Sequence, residues 1–181
     1  VGVKKENTKY IYALNVFCQP GTEAIFFIID KKPTWDVSSF QSNITEIQVM
    51  RNVITANDKK IHIEIDNNVL YNHAAKNIIG YVEGSQYPDS FVVFTAHYDH
   101  LGQMGEEAYF PGANDNASGT AMLLNLATYY SAPENKPGCS VAFIAFAGEE
   151  VGLLGSRYYT THPVFPLSKI KFLINRLWAK S

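Results

Sequence analysis

The 181-residue sequence lacks three features that mark common classes of protein. It has two cysteines, Cys18 and Cys139, which are too few for a disulfide framework and lie in no CxxC spacing, so we interpret both as isolated thiols. Its 15 basic and 17 acidic residues give a net charge of −2, which argues against a broad basic surface for nucleic acid. No apolar run reaches the roughly 18–20 residues that cross a bilayer. We therefore expect neither a nucleic-acid partner nor a membrane span.

Short apolar segments separated by turns make up most of the sequence. With 46% hydrophobic and 18% charged residues, intrinsic disorder is excluded. Apolar runs predict buried strands at 24–29, 78–82, 91–96, 140–147 and 170–174, and looser patterns predict strands at 44–49 and 61–65.

Two helices are predicted between these strands. Residues 116–130 carry apolar side chains on nearly every face and predict a mostly buried helix, and residues 152–160 predict another. Gly84 and Pro88 favour a hairpin-like connection between the strands at 78–82 and 91–96. The expected fold class is α/β, with a mixed, largely parallel sheet covered by helices on both faces.

Three polar clusters follow the predicted core segments. His97 and Asp99 come after the strand at 91–96, Glu149 and Glu150 come after the strand at 140–147, and Asp115 stands at the start of the first helix. Because the carboxyl ends of strands form the ligand-binding edge of an open α/β sheet, we expect the first and third clusters to converge there.

The charge balance of these clusters points to bound cations. Four carboxylates at one rim would repel each other, and no lysine or arginine occurs between Lys76 and Lys136. Divalent cations would supply the missing positive charge. A combination of imidazole and carboxylate suits Zn²⁺ and, less specifically, Mn²⁺ or Co²⁺.

Spacing suggests a role for each side chain. His97 and Asp99 lie two apart on an extended segment and point the same way, so Asp99 can accept the second ring N–H of a ligand histidine. Asp115 could bridge two ions. Of Glu149 and Glu150, one can bind metal while the other holds a water. The remaining histidines are expected to have no metal role, namely His62, His73, His100 and His162. For His100, a role in a turn is favoured.

At these residues the chain resembles the M28 family of zinc metallopeptidases, which are mostly aminopeptidases. The matching segments are NIIGY at 77–81, TAHYDHLG at 95–102, GANDNASG at 112–119 and AGEEVGLLG at 147–155. The resemblance implies a zinc-exopeptidase-like fold, two zinc ions, and peptide or protein N-termini as substrates. It also implies a secreted, periplasmic or cell-envelope location.

The resemblance assigns one role to each site residue. His97 would bind one zinc ion, Glu150 the other, and Asp115 both. The peptide bond between Asp115 and Asn116 matches a position that is often cis in the family. Glu149 would be the general base that takes a proton from the attacking water. Asp99 would hold the ligand histidine.

Both ends of the chain depart from a simple catalytic domain. Residues 1–56 resemble the remnant of a protease-associated (PA) insert, which leaves residues 57–181 as the N-terminal part of the catalytic domain. Where the family has a further zinc-binding Asp, this chain has Leu177, and the family's later histidine ligand is not in the sequence. We therefore expect the 181-residue chain, as a fragment, to be inactive by itself. Two alternatives stay open, namely a glutaminyl-cyclase-like acyltransferase and an inactive truncated product.

Overall fold

The computed structural model describes residues 21, 24–31, 33, 37, 43–53, 60, 62–65 and 69–175. The chain forms two compact units, Val1–Tyr71 and Asn72–Ser181. This division falls later than the predicted boundary near residue 56, and the assignment of residues 1–56 to a PA-like remnant stays a prediction. Cys139 is a free thiol, as expected, whereas Cys18 and Leu177 lie outside the described residues.

The first unit contains a pair of parallel strands, β1 (Ala24–Ile29) and β2 (Thr45–Met50), close to the predicted positions. The predicted strand at 61–65 is wrong for the residues that are described there, 62–65, which have no strand structure. Ile63 and Ile65 are 39% and 55% exposed. Alternation produces a half-buried strand only where a neighbouring strand accepts its hydrogen bonds, and no described strand pairs with this segment.

The second unit is built on a sheet of four strands, namely β3 (Ile78–Val82), β4 (Tyr87–His97), β7 (Cys139–Phe146) and β8 (Ile170–Asn175). Their order in the sheet is β3-β7-β4-β8. Strand β4 runs parallel to β7 and β8, and β3 runs antiparallel to β7. A small hairpin of β5 (Gln103–Met104) and β6 (Ala108–Tyr109) follows β4. The mixed, largely parallel sheet is confirmed.

The predicted hairpin between β3 and β4 is wrong because β7 lies between them. The buried side chain of Ser140 explains this placement. Its hydroxyl oxygen accepts a hydrogen bond from the Gly84 N–H at 3.0 Å and donates to the Pro88 carbonyl at 2.7 Å. A Cβ at Gly84 would collide with the backbone of Cys139 and Ser140, so the connection passes closely over the start of β7. Part of the predicted turn, from Tyr87 onward, is the first part of β4.

Helices cover both faces of the sheet, as expected. Helix α1 (Ser118–Ser131) packs Leu123 against Ala96 and Phe143, whereas helix α2 (Leu154–Thr161) packs its side chains on the opposite face. The prediction that α1 is mostly buried is wrong for the described chain, because only the side facing the sheet is covered. Neither described helix combines the length and apolarity needed to cross a membrane.

The core on the α2 side provides a direct test of the packing. Ile144 is 1% exposed and contacts the cluster that contains Val93 and Tyr159. Ile144→Ala is expected to lower the free energy of unfolding by about 2–5 kcal/mol, and Ile144→Val by only about 0.5–1.5 kcal/mol, because the smaller deletion leaves a smaller cavity. Urea unfolding followed by circular dichroism measures both. Equal small losses would mean that Ile144 is not tightly packed.

Candidate metal centre

Three segments bring polar side chains together at one edge of the sheet. His97 is the last residue of β4 and is 2% exposed. Glu149 and Glu150 follow the parallel strand β7, and Asp115 lies in a short turn, Ala113–Ala117, that leads into α1. The residues predicted from the three sequence clusters therefore lie at one site.

The backbone around these side chains is fixed by specific contacts. Asn77 accepts the Ala147 N–H at 3.1 Å and donates to the Gly155 carbonyl at 2.8 Å, which ties the end of β7 to α2. Thr120 in α1 donates its hydroxyl to the His97 carbonyl at 3.0 Å. The peptide bond between Asp115 and Asn116 is cis, as the family resemblance implies. The site therefore rests on the sheet and on both helices.

The hydrogen bonds of His97 determine its tautomer. Its Nδ1 lies 3.0 Å from the main-chain carbonyl oxygen of Asp99, and because a carbonyl can only accept, Nδ1 carries the hydrogen. Its Nε2 lies 3.0 Å from Oδ1 of Asp115. In a neutral imidazole, the lone pair of Nε2 would face a lone pair of the Asp115 carboxylate, and the two would repel each other. A second proton on the ring or a cation shared by the two atoms removes that repulsion.

A metal ion fits this donor set. One donor atom from each of His97, Asp115 and Glu150 lies within 4.8 Å of the other two. Zinc–nitrogen and zinc–oxygen bonds are about 2.0–2.2 Å long, so two ligand atoms of a tetrahedral zinc ion lie about 3.3–3.6 Å apart, close to the 3.0 Å between His97 and Asp115. An imidazole with two carboxylates is also a donor set that zinc accepts.

Asp99 does not hold His97 through its carboxylate as expected. The carboxylate oxygen Oδ1 is 3.8 Å from Nδ1 of His97, and the main-chain carbonyl of Asp99 takes the hydrogen bond instead. Oδ1 accepts the Glu149 N–H and Oδ2 accepts the Glu150 N–H, each at 3.1 Å. The carboxylate therefore anchors the acidic turn after β7, and the residue contacts His97 through its backbone.

His100 belongs to the site, although the sequence predicted no such role. Its Nδ1 lies 2.7 Å from Oε1 of Glu150, and both side chains are largely buried. The signal available in the sequence was its position three residues after His97, which is not by itself informative. His62, His73 and His162 are exposed and take no part in the described cluster.

The electrostatics of the site are dominated by negative charge. Among the described residues, the only basic partners of Asp99, Asp115, Glu149 and Glu150 are two histidines. Burial raises the pKa of Glu149 above its ordinary value. His97 opposes that rise in pKa, and the neighbouring carboxylates add to it. Glu149 is thus the site carboxylate whose environment favours holding a proton.

The raised pKa of Glu149 predicts a pH dependence of stability without metal. Because the folded state favours the protonated carboxyl, ionisation above the ordinary pKa of 4.5 removes stability as the pH rises. Glu149→Gln cannot ionise, so the variant should gain stability relative to the wild type between pH 4 and pH 7 in the presence of a chelator. Thermal unfolding across this range measures the difference, and a gap that does not change with pH would contradict the shift.

A pocket opens beside His97 at the same edge of the sheet. It is lined by side chains from the ends of β4, β7 and β8, from the turn after β7 and from the start of α2, namely Ala96, His97, Phe146, Ala147, Glu149, Leu153, Ser156 and Asn175. The pocket is mainly apolar, with Glu149 and His97 on its polar side. A small apolar group could therefore lie next to these two residues.

Comparison with known proteins agrees with this arrangement. The family model described as Peptidase family M28 matches residues 77–176. The chain is 43% identical over 94 residues to aminopeptidase YwaD of Bacillus subtilis, which covers 50% of this chain and 18% of that protein. It is 39% identical over 84 residues to a probable zinc metalloprotease of Pyricularia oryzae, covering 45% of this chain and 16% of that protein.

The fold comparison leads to the same group. The crystal structure of a zinc aminopeptidase from Bacillus subtilis matches with a TM-score of 0.58 at 26% identity, covering 84% of this chain and 37% of that one. The chain is thus an α/β protein with a zinc-aminopeptidase fold. It belongs to peptidase family M28, whose match extends over more than half of its residues. It spans less than a fifth of the length of the two curated relatives named above.

Proposed function

We propose that the full-length protein carrying this chain is a zinc aminopeptidase that releases N-terminal residues from peptides or proteins. The observation that carries the proposal is the convergence of His97, Asp115 and Glu150 at the carboxyl ends of parallel strands, with Glu149 beside them. Membership of peptidase family M28 supports the same class of reaction.

Two zinc ions are proposed for the complete site. His97 would hold one ion, Glu150 the other, and Asp115 both. When bound, zinc lowers the pKa of a coordinated water towards about 7 and polarises a carbonyl group. This chain would supply these three ligands, and other parts of the full-length protein would complete the coordination.

Glu149 would be the residue that transfers the proton. Its carboxylate oxygen Oε2 lies 4.0 Å from Nε2 of His97, close enough for both residues to face one reacting group. Glu149 would accept a proton from the attacking water and deliver it to the leaving amine. Its raised pKa suits both steps, because a base works best when its pKa approaches the working pH.

Similarity to aminopeptidase YwaD supports the N-terminal end of a peptide as the substrate, because an aminopeptidase acts on a peptide with a free α-amine. A free amine on the first residue is therefore the substrate feature that we propose.

Hydrolysis assays on the full-length zinc-loaded protein test the proposal. Leucine p-nitroanilide should be cleaved, and its N-acetylated form should not, because acetylation removes the charged amine. Cleavage of an N-blocked peptide with a free C-terminal glutamate would indicate a carboxypeptidase instead. Cyclisation of an N-terminal glutamine peptide would indicate a glutaminyl-cyclase-like acyltransferase. No turnover of any of these substrates would contradict the proposal.

A location outside the cytoplasm is part of the proposal by resemblance to the family. Cell fractionation with an antibody against the full-length protein tests it. Recovery of the protein in the secreted, periplasmic or envelope fraction is the expected result, and recovery only in the cytoplasmic fraction would contradict it.

A further inference from the structure

We propose that His100 is a positioning residue, which holds one oxygen of Glu150 so that the other oxygen faces the metal. The inference rests on the proposed zinc site, but it concerns a residue to which the family resemblance assigns no role. It is carried by two contacts of the imidazole and by a third contact that the neighbouring Asp99 makes.

The first contact is with Glu150 itself. Nδ1 of His100 lies 2.7 Å from Oε1 of Glu150, and because a carboxylate only accepts, Nδ1 donates. Hydrogen bonds to ionised carboxylates are shorter and stronger than bonds between neutral groups. This bond occupies one oxygen of Glu150 and leaves the other as a metal donor.

The second contact fixes the imidazole in place. A Cβ at Gly112 would lie 2.8 Å from Cγ and Cδ2 of His100, so the ring lies directly against bare backbone. Gly112 has φ 61°, a left-handed conformation that glycine adopts without strain, and it immediately precedes the turn that carries Asp115. The ring therefore links the Glu150 side of the site to the Asp115 side.

The third contact runs through the chain next to His100. Asp99 holds the backbone N–H of Glu150 at 3.1 Å while His100 holds its side chain. Two consecutive residues after β4 thus fix Glu150 at both ends. Hydrogen bonds that orient a ligating carboxylate contribute to metal affinity, and their loss typically costs about 10–100-fold in affinity or activity.

Two substitutions of similar polarity separate positioning from mere packing. In asparagine the amide nitrogen is bonded to Cγ and takes the place of Nδ1, whereas in glutamine it reaches the place of Nε2. For the full-length protein, we expect His100→Gln and His100→Ala to weaken zinc binding by about 10–100-fold. His100→Asn should retain most of the affinity. Competition with a chromophoric chelator measures zinc affinity without reference to peptidase activity.

A double-mutant cycle tests whether His100 acts through Glu150. If it does, His100→Gln should add little to the loss of zinc affinity already caused by Glu150→Gln. The absorption spectrum of the cobalt-loaded protein separates positioning from direct ligation, because loss of a nitrogen ligand would shift the visible bands and loss of a positioning contact would lower only the affinity.

Three results would overturn the proposal: unchanged zinc affinity in His100→Gln, no rescue by His100→Asn, or additive losses in the double mutant. If His100→Ala does not fold, the asparagine and glutamine variants still decide the question. Tight zinc binding without peptidase activity would refute the proposed function and leave the assignment of His100 standing.

Discussion

Replacing Glu149 by glutamine in the full-length protein is expected to lower kcat by about 10²–10⁴-fold and to leave the zinc content unchanged. Glutamine keeps the size of the side chain and can still donate or accept a hydrogen bond. It cannot take a proton from water and return it to an amine. The loss should therefore appear in kcat with little change in the binding of zinc.

The surroundings of Glu149 are the reason to expect a large effect. The side chain is 26% exposed and reaches His97 at 4.0 Å, so it lies beside the metal ligands rather than among them. The backbone N–H of Glu149 donates a hydrogen bond to the Asp99 carboxylate, which fixes the backbone from which the Glu149 side chain extends. Burial raises its pKa towards the range in which it can exchange protons near neutral pH.

Two control variants make the result for Glu149 specific. Glu150→Gln should lower zinc affinity, because the residue is one of the three that share a donor cluster. Glu134→Gln, on an exposed turn outside the described site, should change neither kcat nor zinc content. Steady-state kinetics and metal analysis of each variant provide both readouts. Loss of zinc in Glu149→Gln together with full zinc and low kcat in Glu150→Gln would reverse the two roles.

Local sequence pattern predicted the strands of the second unit well. Each core strand is a run of apolar residues, and runs such as the buried part of β7 are hydrophobic on both faces because α1 and α2 cover both. The order of the strands in the sheet could not be predicted from the local pattern. The position of β7 between β3 and β4 depends on Ser140 and Gly84, whose contacts join residues 56 positions apart.

Structural features that depend on contacts with another part of the chain were predicted less well. The isoleucines at 63 and 65 alternate like a strand, but alternation does not show whether another strand is available to pair. Helix α1 is apolar on several faces, and the pattern cannot show that only the face around Leu123 contacts the described sheet.

The site was predicted from the positions of residues relative to strand ends, and this argument has a clear limit. It placed His97 and the pair of Glu149 and Glu150 together because parallel strands end at the same edge, whereas the choice of Glu150 as the metal ligand came from the family resemblance. It could not foresee that the carboxylate of Asp99 binds two backbone amides after β7, nor that His100 reaches Glu150. Both contacts join segments about 50 residues apart, and only the folded backbone brings them within hydrogen-bond distance.

Asp115 has a position that no other residue of the site duplicates. It lies on the turn before α1, opposite the residues that follow β4 and β7. One of its oxygens is 3.0 Å from Nε2 of His97, and a donor atom of Asp115 lies within 4.8 Å of one from Glu150. A carboxylate placed between these two residues can serve an ion on each side.

Asp115→Ala is therefore expected to remove both zinc ions from the full-length protein, from about two per chain to nearly none. Without the shared carboxylate, the ion at His97 and the ion at Glu150 each lose one ligand, and a catalytic zinc ion usually needs about three ligands from the protein.

Asp89→Ala is the matched control, because Asp89 is an exposed carboxylate at the other end of β4 and should leave the zinc content unchanged. Metal analysis after dialysis gives the zinc content, and a near-ultraviolet circular dichroism spectrum like that of the wild type shows that the variant is folded. If folded Asp115→Ala kept one ion, Asp115 would serve only the other; if it kept both, the bridging role would be wrong.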